Sequence, residues 1–214
     1  MMSLCILSVV GAQASIYLTA NFDDLLEGSL GDSFSDGGIS FANLDERITG
    51  PTLNTFDIQA TTANLPGFSP PNYLTFVGYV PGNTSAFSFG RFGSASISFS
   101  GIASSASMDI FGFGGSSLNT LTLEALLEGN VVDSDTITFY STHPGEVVYR
   151  PLSVSGTFDS LKLVAAGPDN EGADLFGMDN VNITVVPEPT LNGLVCCVLA
   201  GIILRGVRRT RFHQ

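Results

Sequence analysis

Carboxylates are the side chains of this sequence that could do chemistry. The chain has 20 Asp and Glu residues among 214, and two carboxyl groups suffice for glycoside hydrolysis, one as acid and the other as base or nucleophile. Acidic pairs occur throughout the sequence, so their presence does not select that reaction. His143 is the only histidine ahead of the C-terminal tail. A single histidine cannot form a histidine metal cluster and gives little basis for a Ser-His-Asp triad.

Other catalytic patterns are also missing from the sequence. No G-x-S-x-G nucleophile elbow occurs, and Gly112-Phe113-Gly114-Gly115 lacks the strand-to-helix setting of a phosphate loop. The Phe residues that flank these glycines could form a ligand platform, but alternating Phe in a β-rich chain is more typical of a core. We therefore expect no catalytic residue and predict that the chain is not an enzyme.

The last 28 residues combine three features in a fixed order. Val186-Pro187-Glu188-Pro189 comes first, and an apolar stretch from Leu191 to Leu204 follows it. With the residues up to Val207, this stretch reaches roughly the minimum of about 17 residues that a membrane-crossing helix needs. The chain then ends in an Arg cluster formed by Arg205, Arg208, Arg209 and Arg211. A buried core helix would not end in such a cluster, so we predict a single C-terminal transmembrane helix with its Arg-rich end in the cytoplasm.

This tail resembles the PEP-CTERM sorting signal of Gram-negative bacteria that carry an exosortase. The resemblance covers residues 186–214 and implies that Pro187, Glu188 and Pro189 are recognised and cut by the exosortase, a membrane-embedded cysteine transpeptidase. It also implies export across the inner membrane, a transient membrane anchor, and release or transfer to the cell surface.

The N-terminus agrees with export. An apolar run from Leu4 to Val10 precedes Ala12-Gln13-Ala14, which is a signal-peptidase site of the A-x-A kind. No basic residue stands ahead of Arg47, so we expect either an upstream start codon or a strand of the domain in place of the signal. The predicted division is a signal peptide over 1–14, one domain over 15–186 and the sorting signal over 187–214.

The predicted domain is acidic and has no cysteine. Nineteen acidic and four basic residues stand ahead of Pro187, and all three Cys lie in the two terminal segments. Such a surface repels nucleic acid and attracts divalent cations. Without a disulfide, packing, alone or together with a bound metal, must provide the stability of the domain.

Apolar residues of this domain alternate with polar ones at a period of two. This spacing is typical of half-buried strands, and Gly, Asn, Asp, Ser and Pro clusters separate the runs. Leu118–Leu127 is the one helix-like stretch, but its Thr-Leu-Thr-Leu alternation favours a strand. We predict an all-β, jelly-roll-like β-sandwich of about eight to ten strands. The alternating runs are Phe56, Ile58 and Ala60; Leu74, Phe76 and Gly78; Ile97 and Phe99; Leu121, Leu123 and Ala125; Ile137 and Phe139; Leu161 and Leu163; Val181, Ile183 and Val185.

Two motifs at the ends of the domain resemble the first and last strands of extracellular jelly-roll modules of the MAM and lectin-like kinds. They are Asn21-Phe22-Asp23-Asp24-Leu25 and Leu175-Phe176-Gly177-Met178-Asp179-Asn180-Val181-Asn182-Ile183. In such modules the terminal strands lie side by side, and the resemblance implies that Asp23 and Asp179, with Asp24 or a carbonyl, bind a structural Ca²⁺. The alternative is that these residues cap turns and strand ends. A third acidic group, Asp169, Glu171 and Asp174, lacks EF-hand spacing and is predicted to be a solvated loop.

Two classes of function remain open. The first is a non-catalytic protein of the cell surface or extracellular matrix that associates with exopolysaccharide. The second is a secreted lectin-like module or a carboxylate-based glycan-active enzyme. The absence of Trp and of any nucleophile motif favours the first class.

Overall fold

The computed structural model describes residues 14–44, 53–60, 70–79, 87–88, 93–113, 119–139, 147–166 and 176–187. All regular structure in these ranges is β-strand, as predicted. The strands are β1 Ile16–Ala20, β2 Gly28–Gly31, β3 Ser33–Asp36, β4 Ile39–Asn43, β5 Leu53–Ala60, β6 Asn72–Tyr79, β7 Phe87–Ser88, β8 Ser94–Phe113, β9 Asn119–Leu127, β10 Asn130–Phe139, β11 Val147–Ala166 and β12 Phe176–Val186.

The strands form one continuous hydrogen-bonded sheet, and two long strands, β8 and β11, each run through both of its layers, which we call the front sheet and the back sheet. Their first and second parts are separated by register shifts between Ser98 and Ala103 of β8 and between Ser155 and Ser160 of β11. The front sheet contains residues 147–155 of β11, 102–113 of β8, and then β12, β6, β5 and β2, with β1 paired to the second half of β12. The back sheet contains β10, β9, residues 160–166 of β11, 94–98 of β8, β4 and β3.

The two sheets form a sandwich around one core. Where the structure describes the side chains of the predicted runs, the alternating apolar residues are buried, including Leu121, Leu123, Ala125 and Ile183, and Phe99 is partly buried. Aromatic rings join the sheets, because Phe34 of the back sheet lies 5.2 Å from Phe56 of the front sheet and stacks at 4.8 Å on Phe41. The period of two is therefore confirmed as the pattern that separates the core face from the solvent face.

The strand count differs from the prediction. Twelve strands occur in the described residues, and the additional ones include β2, β3 and β7, which have four, four and two residues. Strands this short have too few residues for an alternating pattern to stand out. Among the clusters of turn-forming residues, Ser35-Asp36-Gly37-Gly38 forms a turn at Gly37 and Gly38, while Ser35 and Asp36 belong to β3.

The terminal strands lie side by side, as expected. β1 pairs antiparallel with β12, with Ile16 opposite Val185 and Ala20 opposite Val181. The segment after β1 is held by a buried amide rather than by regular pairing. The Nδ2 of Asn72 donates to the carbonyl oxygens of Asp23 at 3.2 Å and Leu25 at 2.8 Å, and lies 3.5 Å from that of Phe22.

This segment also contains a fully buried Phe22 with a positive φ of 60°. A bulky residue seldom adopts this conformation unless its surroundings hold it there. The N–H of Phe22 donates to Oδ2 of Asp36 at 3.0 Å, and its ring packs 5.7 Å from that of Phe41. The burial of this ring and the bond to Asp36 fix the segment that leads from β1 to β2.

Candidate functional site

The outer face of the front sheet carries a polar cluster that the alternation of β8 and β11 positions. Met108 and Ile110 of β8 are buried in the core, so Asp109 lies on the opposite face. Tyr149 of β11 reaches it there, and its hydroxyl donates a short hydrogen bond to Oδ1 of Asp109. The second carboxylate oxygen accepts a bond from Nδ2 of Asn180 at 3.1 Å.

A bulge in β12 directs Asn180 towards Asp109. The register with β8 shifts between Asp179 and Asn182, and Asn180 has a φ of 50°. Asn tolerates this left-handed conformation better than most residues. The extra residue also explains why Met178 and Val181 are both buried, although residues three apart on a regular strand face opposite sides.

The environment of Tyr149 favours its neutral form. Burial raises the pKa of its hydroxyl, and the hydrogen bond to Asp109 and the negative charge of that carboxylate raise it further, to about 12. The hydroxyl therefore keeps its proton at neutral pH and remains a donor. The polar cluster thus presents one bonded carboxylate, one amide and one phenol.

Aromatic rings lie beside this cluster. The ring of Phe111 covers Gly177 on the next strand so closely that any Cβ at that position would overlap it. Tyr73 of β6 packs against Phe111 edge-on, with ring centroids 5.0 Å apart. Gly177 is therefore required where a larger residue would push the Phe111 ring off the sheet.

A shallow groove of about 320 Å³ runs over the same sheet beyond the polar cluster. Its volume is at the low end of the range of about 300–1,000 Å³ that small-ligand sites occupy. Residues from β8, β11 and β12 line it: Ser105, Ser107, Ser153, Ser155, Asn182 and Thr184, with Ala106 and Val154, whose side chains belong to the core. The groove therefore offers hydroxyl groups and one amide on three adjacent strands.

Asn182 is fixed in place at one wall of this groove. Its Nδ2 donates to the carbonyl oxygen of Asn180 at 2.7 Å, and its Oδ1 accepts from Oγ1 of Thr19 at 2.9 Å. These two bonds connect the groove to the polar cluster on one side and to β1 on the other. The wall is therefore preorganised by contacts within the protein.

The predicted calcium ligands have other partners. Asp23 accepts hydrogen bonds from Nδ2 of Asn21 at 3.0 Å and from the backbone N–H of Asn72 at 3.4 Å. Asp179 is fully buried and accepts the N–H of Asn180 at 2.7 Å, whereas Asp24 is exposed. In the part of the chain that the structure describes, no group of three or more His, Cys, Asp or Glu side chains is arranged to hold a metal. Calcium binding stays a prediction.

The predicted processing sites lie almost entirely outside the described residues. Of the sorting motif only Pro187 is described, while Ala12, the Glu188-Pro189 pair and the Arg cluster are not. The acidic loop with Asp169, Glu171 and Asp174 is also outside the described ranges, and Ala14 is described as exposed. Within those ranges, no helix has the length and apolar character needed to cross a bilayer.

Asp109, Tyr149, Asn180 and the serines of the groove were not recognised from the sequence. Ser105-Ala106-Ser107 and Ser153-Val154-Ser155 each alternate small polar and apolar residues, which is a weak signal of an outward polar row. The sequence does not show that these two rows are neighbours. Only the register, which places Ser107 opposite both Ser153 and Asn182, brings them together.

Comparisons with known proteins were made for the whole chain. No family model matches it, and no curated protein matches it. Among solved structures, the K1 cleaved adhesin domain of Lys-gingipain from Porphyromonas gingivalis aligns over 80% of this chain and 99% of that chain, at 9% identity and a TM-score of 0.44.

Two further structures align over a similar share of the chain. The CBM22-1 xylan-binding domain from Paenibacillus barcinonensis Xyn10C covers 83% of this chain and 99% of that chain at 15% identity and a TM-score of 0.39. The cyclase Fisc from Fischerella sp. covers 82% and 100% at 13% identity and a TM-score of 0.38. At identities and TM-scores this low, we base no conclusion about this chain on these neighbours.

Proposed function

We propose that this chain is an exported, non-catalytic protein of the cell surface or extracellular matrix whose jelly-roll-like sandwich binds polysaccharide. The observation that carries this proposal is the hydroxyl-lined groove on the outer face of the front sheet, which ends at the polar cluster of Asp109, Tyr149 and Asn180.

The chemistry of the groove suits a sugar chain. Serine and threonine hydroxyls both donate and accept hydrogen bonds, as sugar hydroxyls do, and the Asn182 amide adds a fixed donor and acceptor. The lining residues form three adjacent rows of outward side chains, one on each of the strands β11, β8 and β12. An extended ligand that lies across these rows contacts several of them at once. The groove lies open on the surface and therefore accepts an internal segment of a polymer.

The two carboxylates at the polar cluster favour binding over catalysis. Asp109 and Asp179 lie directly opposite each other on β8 and β12, a pairing that a glycosidase could use. Both oxygens of Asp109, however, accept hydrogen bonds from side chains, and the carboxyl group of Asp179 has no solvent-exposed surface. A catalytic acid or nucleophile must reach its substrate, which the buried Asp179 does not do in this arrangement.

Affinity electrophoresis of the full chain through gels that contain polysaccharides tests the binding proposal. We expect retardation by at least one polymer, and a loss of about fivefold in affinity for Ser107→Ala or Asn182→Ala, because each variant removes a hydrogen bond worth about 1 kcal/mol. Thr138→Ala, on the exposed side of the back sheet, is the matched control and should bind as the wild type does.

Two results would contradict this proposal. One is the absence of retardation by any polysaccharide. The other is turnover of a bound polymer that is abolished by Asp109→Asn, which would favour the glycan-active enzyme instead.

Sorting by an exosortase is proposed from the sequence of the tail. The described strands end at Val186, and Pro187 follows them, so the motif begins where the sandwich ends. We expect that replacing Pro187, Glu188 and Pro189 by Ala in the native host retains the full-length protein in the membrane fraction. Release of a shortened protein by this variant would contradict the proposal.

A further inference from the structure

Two lines of side chains cross the front sheet through the groove and continue onto β1. The residues of each line lie directly opposite one another on β11, β8, β12 and β1. Opposed residues of antiparallel strands present their side chains on the same face, so both lines lie on the outer face. We call them the cross-strand lines. The first is Ser153, Ser107, Asn182 and Thr19, and the second is Ser155, Ser105, Thr184 and Tyr17.

Tyr17 ends the second cross-strand line with an aromatic ring. It is 76% exposed and lies opposite Thr184, which lines the groove. Oγ1 of Thr19, two residues further along β1, bonds the side chain of Asn182 at 2.9 Å, so β1 continues the surface of the groove. The face of an aromatic ring carries partial negative charge and attracts polarised C–H groups. Tyr17 therefore adds the apolar contact that a pyranose ring needs beside its hydrogen bonds.

The spacing of the strands suits a chain of sugars. Neighbouring strands lie about 4.8 Å apart, so a cross-strand line spans about 14 Å from β11 to β1. One strand spacing is close to the length of one sugar residue. A chain that follows a cross-strand line thus places successive sugars over successive strands, and a sugar over β1 lies on the ring of Tyr17.

Two carboxylates stand at the opposite end of the cross-strand lines. Oδ2 of Asp135 accepts the N–H of Ser153 at 2.9 Å, and Oδ2 of Asp133 accepts the N–H of Ser155 at 2.7 Å. Both Asp side chains are half-buried. Their partners in these bonds are neutral amides, so the β11 end of each line carries a negative charge.

The basic side chains of the described residues lie away from these lines. They are Arg150 and Lys162. Nη1 of Arg150 donates to the carbonyl oxygen of Tyr149 at 2.8 Å, and Lys162 lies opposite Glu124 in the back sheet. The electrostatic potential along the lines is therefore set by carboxylates, which repel acidic ligands.

We propose that the ligand of the groove is a neutral polysaccharide, that it lies along the cross-strand lines, and that Tyr17 stacks on one of its sugars. Asp133 and Asp135 exclude polymers of uronic acids or sulfated sugars. This inference rests on the proposed function, because it names the class of polysaccharide that the same groove binds.

Affinity electrophoresis of the full chain in a mild detergent tests the ligand class. The gels contain neutral glucans, mannans, xylans or galactans in one set, and alginate, polygalacturonate or hyaluronan in the other. Mobility is compared with that of the same variant in a gel without polymer. We expect a neutral polymer to retard the wild type and the acidic polymers to leave its mobility unchanged.

Two outcomes of these gels have different meanings. Retardation by an acidic polymer as strong as that by any neutral one overturns this inference and leaves polysaccharide binding in place. The absence of retardation by every polymer contradicts the proposed function, and this inference with it.

Variants of β1 test the role of Tyr17. Tyr17→Ala should weaken binding of the neutral polymer by roughly fivefold to tenfold, whereas Tyr17→Phe keeps the ring and should stay within about twofold of the wild type. Ile16→Ala, at a 51% exposed residue of the same strand, is the matched control and should bind as the wild type does. Unchanged binding by Tyr17→Ala overturns the assignment of this residue.

Nitration of the wild type tests the same contact without a substitution. A saturating neutral polymer should protect Tyr17 from tetranitromethane, as measured on the tryptic peptides. Equal nitration of Tyr17 with and without the retarding polymer would also overturn its assignment.

The role of the two carboxylates is tested by a change of charge alone. Asp133→Asn/Asp135→Asn keeps an acceptor oxygen at each position, and it should bind alginate at low salt at least about fivefold more tightly than the wild type. If this pair does not fold, Asp135→Asn should show a smaller gain. Glu27→Gln/Asp32→Asn removes two exposed charges beside β2 and should not bind alginate. No gain in the first pair, or an equal gain in this control, refutes exclusion by Asp133 and Asp135.

Discussion

Asn180 donates a hydrogen bond from Nδ2 to Oδ2 of Asp109 at 3.1 Å, across 71 positions of sequence. The contact exists because a bulge places Asn180 in the left-handed region with a φ of 50°. It joins β8 and β12 at the end of the groove, so the geometry of the candidate site depends on one backbone irregularity.

Two substitutions at Asn180 separate its side chain from its backbone. Asn180→Gly loses the side-chain hydrogen bond to Asp109 but adopts the positive φ without strain. We expect it to lower the free energy of unfolding by about 1 kcal/mol. Asn180→Ala loses the bond and strains the backbone, and should cost about 2 kcal/mol. Urea unfolding measures both values, and an Ala variant as stable as the Gly variant would contradict this account of the bulge.

Tyr149 should make stability fall at alkaline pH. Its pKa is raised from 10.0 to about 12 in the folded protein, so the folded state holds this proton more tightly than the unfolded state. The stabilisation is fully present below pH 10 and is lost as the pH rises towards 12. We expect the free energy of unfolding of Tyr149→Phe to fall less than that of the wild type between pH 10 and pH 12. Tyr17→Phe, at a residue that is 76% exposed, should behave as the wild type.

Asn72 should be the most sensitive polar residue of the described ranges. It is 8% exposed, and its amide bonds carbonyl oxygens of the segment after β1. Asn72→Ala leaves those acceptors unsatisfied and should lower the free energy of unfolding by about 2–3 kcal/mol in a denaturant titration. Asn130→Ala, which removes an exposed bond to the carbonyl of Glu128, is the control and should cost less than about 1 kcal/mol. Equal losses in the two variants would show that the hydrogen bonds of Asn72 do not hold the segment after β1.

Gly177 and Phe111 should be energetically coupled. A Cβ at position 177 would overlap the ring of Phe111, so Gly177→Ala should destabilise the protein by about 1–3 kcal/mol through overpacking. Combining it with Phe111→Leu relieves the overlap, and the double variant should be more stable than the sum of the two single losses predicts. Thermal unfolding of the three variants gives the coupling, and strict additivity would contradict the contact.

Calcium binding through Asp23, Asp24 and Asp179 can be measured by isothermal titration of the full chain. We expect a calcium heat in the wild type that is absent in Asp179→Ala. The side-chain amide of Asn72 already donates a hydrogen bond to the carbonyl oxygen of Asp23. A calcium ion that displaces this amide should therefore bind with a small enthalpy. The absence of any calcium heat in the wild type ends the idea.

The alternation of apolar residues was enough to predict the sandwich class and most of its core. Leu121, Leu123, Ala125 and Ile183 are buried because a period of two puts every second side chain on the face that leaves water. The pairing of the terminal strands was expected from the resemblance of the two end motifs, and β1 does pair with β12. These features depend on local pattern, which a sequence shows directly.

The candidate site depends on register, which local pattern does not contain. Asp109, Tyr149 and Asn180 are distant in sequence and meet only because β8 lies between β11 and β12. The bulge at Asn180 and the bonds from Asp133 and Asp135 to β11 likewise arise from which strands become neighbours. The sequence by itself thus determined the class of fold and the acidic character of the domain. It also gave the expectation of a sorting signal over residues 187–214. The tertiary structure decided which polar side chains share one face, because cross-strand contacts are set by pairing over long sequence separations rather than by neighbouring residues.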